Sequence, residues 1–317
     1  MVDDPPIRVF SGTAHPELAR AIVAHLGIDA GRLTIRHFSD GEIHVRFEES
    51  VRGADVYVVQ PTCPPVDDNL VELMICLDAL RRASVRRLTA VIPYYGYARQ
   101  EKKDLPREPI TAKLVADLLV EAGANRLMVM DLHAGAIQGF FNIPVGHLTA
   151  ETALAAHLAQ EHVADLVVVS PDEGRVKQAR RVASALGAPL AVAYRGEEGC
   201  AGHSGLRLAG DVRGRAPLIV EDMITTGQSV LDACESLMAC GCRPEIRIAC
   251  THGVLTGDAI DRLVSRPEIT EIVTTDTVPQ DRARKEPKFT VLGIADVFGE
   301  AIRRANQNLS ISSLFHW

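Results

Sequence analysis

The sequence predicts an α/β fold of two similar halves, each a mainly parallel sheet flanked by helices. Three observations predict it. Short β-branched runs recur along the chain, each followed by a turn and a helical pattern, as buried parallel strands require. The order of these elements is repeated once, which points to two related halves. Aromatic residues make up only 4% of the 317 residues, so Ala, Val, Leu and Ile must fill the cores, as layered sheets and helices do.

In the first half, taken as 1–149, the strand-like runs are Val56–Val59, Leu88–Ile92 and Leu127–Met130. In the second, 150–317, they are Leu166–Val169, Leu218–Val220, Ile246–Ala249 and Ile272–Thr275. Helical periodicity fills the intervals over Asp68–Arg82, Thr111–Ala122 and Ser229–Ala239, giving βαβ units. Before them, Ile35–Ser39 and Ile43–Phe47 alternate around Asp40-Gly41, a hairpin pattern that a plain turn would also satisfy. A strand ending in Gln60-Pro61-Thr62-Cys63 leads through Ile92-Pro93 to Asp131-Leu132-His133. The later strand ending in Glu221-Asp222 leads through Thr251-His252 to Thr275-Asp276 in the same order.

Composition narrows the function classes. Hydrophobic residues at 47% and charged residues at 24% exclude a disordered or fibrous chain. Thirty-four basic residues against 41 acidic ones leave a net charge of −7, so no overall basic field invites nucleic acid. No apolar run reaches the ~18–20 residues that span a bilayer, so no membrane partner is expected. The start, Met1-Val2-Asp3-Asp4-Pro5-Pro6, is acidic and lacks the basic-then-apolar plan of a signal peptide. Seven cysteines, an odd number in a long chain, point to reduced thiols in the cytoplasm rather than a disulfide framework.

The sharpest chemical signal is Leu218 to Ser229. A buried strand delivers Glu221 and Asp222, and then Thr225, Thr226, Gly227, Gln228 and Ser229 open a helix. Backbone N–H groups at a helix start favour an anion, and Gly227 lets a phosphate approach closely. Two carboxylates beside such a nest would repel phosphate unless they accept hydrogen bonds from a sugar diol. A sugar phosphate meets both needs, the type I phosphoribosyl-binding pattern. Asp131 and His133, two apart at a strand end, could aim at one divalent cation, although Asp-x-His alone is more often structural. The run Tyr94–Lys103 could stack a base and neutralise a polyphosphate, or be a solvated loop. At Ser170–Arg175 acids and Gly follow another strand, and a capped helix start explains that run equally well.

Together these clusters resemble the ribose-phosphate pyrophosphokinase family, which would make the halves phosphoribosyltransferase-type. The resemblance runs from Phe38-Ser39-Asp40-Gly41-Glu42 to Ser310–Phe315 and includes Val51-Arg52-Gly53, Val91–Gln100, Gly139-Phe140-Phe141, Pro171-Asp172 and Thr251-His252-Gly253. It implies transfer of the diphosphoryl group of ATP to O1 of ribose 5-phosphate, with Mg²⁺ as cofactor and AMP as the second product. By the same resemblance, Arg99 and Gln100 touch ATP, and Phe38, Asp40, Gly41 and Glu42 reach adenine from a neighbouring subunit. His133, Asp131 and Asp172 become metal-linked positions, with His133 also counted as catalytic. Glu221, Asp222 and Thr225–Ser229 would hold ribose 5-phosphate. Members are usually hexamers built from dimers, so a homo-oligomer is expected.

One stretch departs from the family pattern. Its catalytic loop carries Lys and, two residues on, Arg, where this chain has Tyr194 and Gly196; Arg195 between them is the basic residue. No lysine occurs between Lys177 and Lys285, so no shift of register restores one. Arg175 also stands where the family has a glycine. Arg195, helped by Arg175, would then supply the transition-state charge. The alternative is a non-catalytic regulatory paralogue that binds nucleotide or a catalytic partner. A base-directed phosphoribosyltransferase would share Glu221–Ser229 but leaves Tyr94–Gln100 and Asp131–Phe141 unexplained.

Overall fold

The protein's computed structural model describes residues 5–196, 200–201 and 205–315. Met1–Asp4 and the end of the compared loop, Glu197–Gly199, lie outside the described residues. In chain order the elements are β1 (Ile7–Ser11), α1 (Pro16–Leu26), β2 (Leu33–His37), β3 (Ile43–Phe47), β4 (Asp55–Val59), α2 (Val66–Arg82), β5 (Arg87–Ile92), α3 (Thr111–Ala122), β6 (Arg126–Met130) and β7 (Val145–Leu148). There follow α4 (Glu151–Ala159), β8 (Leu166–Ser170), α5 (Val176–Leu186), β9 (Leu190–Arg195), β10 (Cys200–Ala201), β11 (Leu206–Ala209), β12 (Ala216–Ile224) and α6 (Gln228–Ala239). The chain closes with β13 (Ile246–Gly253), α7 (Ala259–Val264), β14 (Ile269–Thr275), β15 (Phe289–Leu292) and α8 (Ala295–Asn306).

Two compact units result. The first takes residues 1–149, 277–279 and 293–317, and the second takes 150–276 and 280–292. The sequence reading ran the second half on to residue 317, whereas α8 returns to the first unit. The reason is packing: α8 buries Phe298, Ala301, Ile302 and Ala305 and lies along α1. A Cβ on Gly299 would come within 2.5 Å of the His25 ring, so a side chain there would push the two helices apart.

In the first unit the sheet order is β1-β4-β5-β6-β7, all parallel. All five residues of β4 are buried, as expected of a central strand covered on both faces. Helix α1 shows how local sequence sets the boundaries. His15 accepts from the Leu18 N–H at the cap, Pro16 opens the first turn, and Gly27 ends the helix in the left-handed region at φ +69°. The hairpin β2–β3 stands as its own antiparallel pair, with Phe38–Glu42 as its turn.

The second unit's sheet runs β10-β11-β9-β8-β12-β13-β14-β15. From β9 to β15 neighbours are parallel, while β11 pairs antiparallel with both β9 and β10. Its β8-β12-β13-β14-β15 segment repeats the order β1-β4-β5-β6-β7. The repeat extends to single hydrogen bonds: Asp131 N–H donates to Leu148 O at 3.0 Å, and Asp276 N–H donates to Leu292 O at 3.0 Å. No helix among the described residues is long and apolar enough to cross a membrane. Cys63, Cys76, Cys234, Cys242 and Cys250 are free and buried. Cys240 is disulfide-bonded, but the described cysteines are mainly free thiols with no disulfide framework.

Candidate functional site

In the second unit β12 continues to Ile224, past the strand end expected at Val220, because β13 runs alongside as far as Gly253 and keeps the ladder going. Glu221 and Asp222 are therefore buried within the strand, at 5% and 4% exposure. Parallel β8 lies next to β12, so the turn after β8 brings Asp172 and Arg175 to the same acids. Arg175 Nε lies 3.3 Å from Asp222 Oδ1. The Asp172 carboxylate accepts from the Arg175 N–H at 3.0 Å and so caps the short 3₁₀ turn Glu173–Arg175. Burial pushes the Glu221 carboxyl well above the usual carboxylate range. The negative charges of Asp222 and Asp172 add to the rise, and Arg175 opposes it.

The hydroxyl loop leads straight into α6. Gly227 occupies the N-cap at φ +75°, a conformation suited to glycine, and no side chain caps the helix. Its first N–H groups are thus left to a ligand or to water. From behind, Thr256 N–H donates to Thr225 O at 2.9 Å and Arg262 Nη1 donates to Thr226 O at 3.1 Å. Thr226, Gln228 and Ser229 are exposed and Thr225 is half-buried.

In the first unit the hairpin turn is built by Gly41 at φ +94° and by Asp40, whose carboxylate accepts from the Glu42 N–H at 3.1 Å. Phe38 at this tip is 47% exposed, with its ring edge-on to His44 and under the Arg36 guanidinium. Arg99 and Gln100 are exposed at the end of the turn after β5. The tyrosines beside them do not offer open rings. Tyr94 and Tyr95 are 7% and 2% exposed, Tyr95 Oη donates to Ala112 O, and Tyr97 Oη bonds to Asp67. Base stacking by this run is therefore corrected: the tyrosines are core and bracing groups, because the apolar layer beneath β5 takes them in.

Asp131 follows β6 in the left-handed region at φ +36°, an uncommon conformation for a non-glycine residue. Next to it, the Leu132 N–H donates to His147 Nε2 at 3.0 Å, which anchors the turn to β7. His133 is half-buried. Asp131 and His133 belong to the first unit, and Asp172 to the second. A separate group, His157, Glu161 and Glu271, has metal-ligand spacing among the described residues. Arg247 already bonds Glu161 and lies 3.8 Å from Glu271, so a guanidinium provides the positive charge there.

Comparison with known proteins decides the family. Residues 7–123 match the N-terminal domain of ribose phosphate pyrophosphokinase, and residues 200–316 match the phosphoribosyl synthetase-associated domain. The chain is 47% identical to a ribose-phosphate pyrophosphokinase of Caldanaerobacter subterraneus, over 98% of both chains. The chain belongs to the ribose-phosphate pyrophosphokinase family. Among its relatives, ribose-phosphate pyrophosphokinase 1, chloroplastic, of Arabidopsis thaliana is 45% identical over 98% of this chain and 77% of that protein. The crystal structure of phosphoribosylpyrophosphate synthetase from Mycobacterium smegmatis superposes with a TM-score of 0.90 at 42% identity, covering 96% of this chain and 99% of that one.

Two features of this ribose-phosphate pyrophosphokinase homologue escaped sequence reasoning. Arg262, which braces the hydroxyl loop from α7, carries no local signal, because its partners are set by the α6–α7 packing. The sequence shows Arg175 as a cation, but its pairing with Asp222 depends on β8 lying next to β12.

Proposed function

We propose that the chain transfers the β,γ-diphosphoryl group of MgATP to O1 of ribose 5-phosphate, giving 5-phosphoribosyl 1-diphosphate and AMP. The observation that carries this is the buried Glu221–Asp222 pair running directly into the uncapped start of α6. A diol can donate to those carboxylates while a phosphate takes the N–H groups of Thr225–Ser229. We assign the second unit, 150–276 and 280–292, to the sugar phosphate and the first unit to ATP.

In that reading Arg99 and Gln100 meet the triphosphate. Phe38, Asp40, Gly41 and Glu42 reach the adenine bound by a neighbouring subunit of a dimer-built hexamer, and the exposure of Phe38 at the hairpin tip supports this. Asp131, His133 and Asp172 are assigned as Mg²⁺-linked positions; that ion takes one or two protein carboxylates and keeps waters and phosphates in the rest of its octahedral shell. When bound, the ion neutralises phosphate charge. The protein's own work is in-line positioning and positive charge against the leaving and entering oxygens. Arg195, one residue beyond the place of the family's lysine, supplies charge, with His133 beside the reacting groups. No residue is assigned as general base, since the anomeric hydroxyl can lose its proton late. The reaction is placed in the cytoplasm, in keeping with the five free thiols.

A coupled assay for AMP, run with and without ribose 5-phosphate and related sugar phosphates, tests this. AMP formation that depends on ribose 5-phosphate is expected; none from purified protein would end the reading. The second reading, a non-catalytic partner of a true synthetase, is favoured by Tyr194 and Gly196 at the two cation positions. It expects nucleotide binding without AMP.

A further inference from the structure

The pairing of Arg175 with Asp222 ties the turn after β8 to the acids of β12. The ion pair is deeply placed. The side chains of Arg175 and Asp222 are 13% and 5% exposed, and the Nε–Oδ1 separation is 3.3 Å. The guanidinium pairs with Asp222 and its charge also acts on Glu221, while the Arg175 backbone N–H is tied to Asp172. Its stem leaves the chain at the C-terminal end of β8, next to β12, the edge of an open α/β sheet where ligands sit.

Asp222 is thus engaged by a cation before any sugar arrives. A vicinal diol needs the same carboxylate oxygens as acceptors. An Arg fork that loses one carboxylate oxygen is well shaped for another pair of anionic oxygens, and the acceptor's new diphosphate provides them. Arg195, by contrast, sits at the exposed end of β9.

Resting on the diphosphokinase reading, we propose that Arg175 is a second catalytic cation. It is held by Asp222 in the sugar-free enzyme and handed to the diphosphoryl oxygens when the ribose hydroxyls take Asp222. The exchange couples sugar binding to presentation of positive charge, so the charge lost with the family's lysine is supplied from inside the sugar site.

The test compares Arg175→Ala and Arg175→Lys with the wild-type chain by AMP-release kinetics, by calorimetric titration with ribose 5-phosphate, and by thermal melting. Arg175→Ala is expected to lower kcat about 100-fold and to bind ribose 5-phosphate more tightly, because Asp222 loses its competitor. Arg175→Lys recovers part of kcat, and millimolar guanidinium ion partly rescues Arg175→Ala. An unchanged kcat overturns the proposal. So does a fall in kcat with weaker sugar binding and no guanidinium rescue, the pattern of a merely structural ion pair. If the wild-type chain releases no AMP, the diphosphokinase reading has failed, and the calorimetric arm still decides on the exchange. Tighter binding by Arg175→Ala then upholds competition at Asp222, and unchanged or weaker binding overturns it.

Discussion

Arg207 stands directly opposite Tyr194 in the antiparallel β9–β11 pair, and its Nε donates to the carbonyl of Gly196 at 3.1 Å. The next cation after Arg195 in the sequence is therefore spent on bracing the loop's base. Arg195, on the neighbouring position of β9, points the other way in the pleat. Arg195→Ala is expected to reduce kcat by about 100-fold with little change in the KM for ribose 5-phosphate. Arg207→Ala should cost much less. Steady-state AMP release by the two variants checks this, and equal losses would remove the distinction between charge and brace.

Arg262 offers a second functional contrast. It holds Thr226 O and the Gln228 side chain from α7, outside the loop's own segment. Removing it frees a loop whose amides must converge on one phosphate. Arg262→Ala should raise the KM for ribose 5-phosphate roughly tenfold, the worth of one charge-assisted hydrogen bond, while the KM for ATP stays put. A parallel rise in both constants would mean that the variant simply unfolds more easily.

A buried ion pair fastens the C-terminal helix to the first sheet. Asp55 is fully buried and its Oδ2 accepts from Arg87 Nη2 at 2.6 Å, Tyr57 Oη at 2.9 Å and Asn306 Nδ2 at 3.1 Å. Arg87 also donates to the carbonyls of Ala305 and Asn306. Asp55→Ala strands the guanidinium and is expected to cost about 3–5 kcal/mol. Asn306→Ala removes one neutral donor and should cost about 1 kcal/mol. Denaturant titration of both variants measures the difference.

How much of this was legible beforehand follows from how local each signal is. Strands β4, β5 and β6 could be read because each carries a run of four or five β-branched and apolar residues; β1 and β7 are edge strands with fewer such residues in a row. The Glu221–Ser229 site is one contiguous segment and therefore visible. Nothing in the α8 sequence says which sheet it covers, since an amphipathic helix fits any apolar face. Tyr94 and Tyr95 misled because a Tyr- and Gly-rich run looks the same whether its rings stack on a ligand or fill the core.

Gly12 is expected to be intolerant of any side chain. A Cβ there would lie 2.2 Å from Gln60 Oε1 and 2.7 Å from Glu72 Oε1. Neither neighbour can yield. Gln60 and Glu72 are buried and bound to each other at 2.8 Å, while Glu72 also accepts from the Thr13 N–H and hydroxyl and Gln60 from the Ala14 N–H. Gly12→Ala should destabilise the first unit by about 2–3 kcal/mol, and chemical denaturation would reveal a smaller loss if the turn can shift.

Alkaline pH should unfold the protein through its buried thiols. Burial pushes Cys63 and Cys242 up to about 11, and Cys76, Cys234 and Cys250 up to about 12. Tyr57 and Tyr95 move upward for the same reason. An unfolded thiol loses its proton near pH ~8.5, so between that value and about 11 the unfolded chain binds fewer protons than the folded one. Stability then falls as pH rises. The contribution is fully present below pH ~8.5 and is lost as pH climbs toward the folded values. Thermal melts should hold steady from pH 7 to about 8.5 and decline steadily above it. The same five thiols should react slowly with a disulfide reagent in the native protein at pH 8 and fast once it is unfolded, because the thiolate is the reacting form. Rapid native labelling of all five, or a melting temperature indifferent to pH up to about 11, would contradict the burial that the two cores impose.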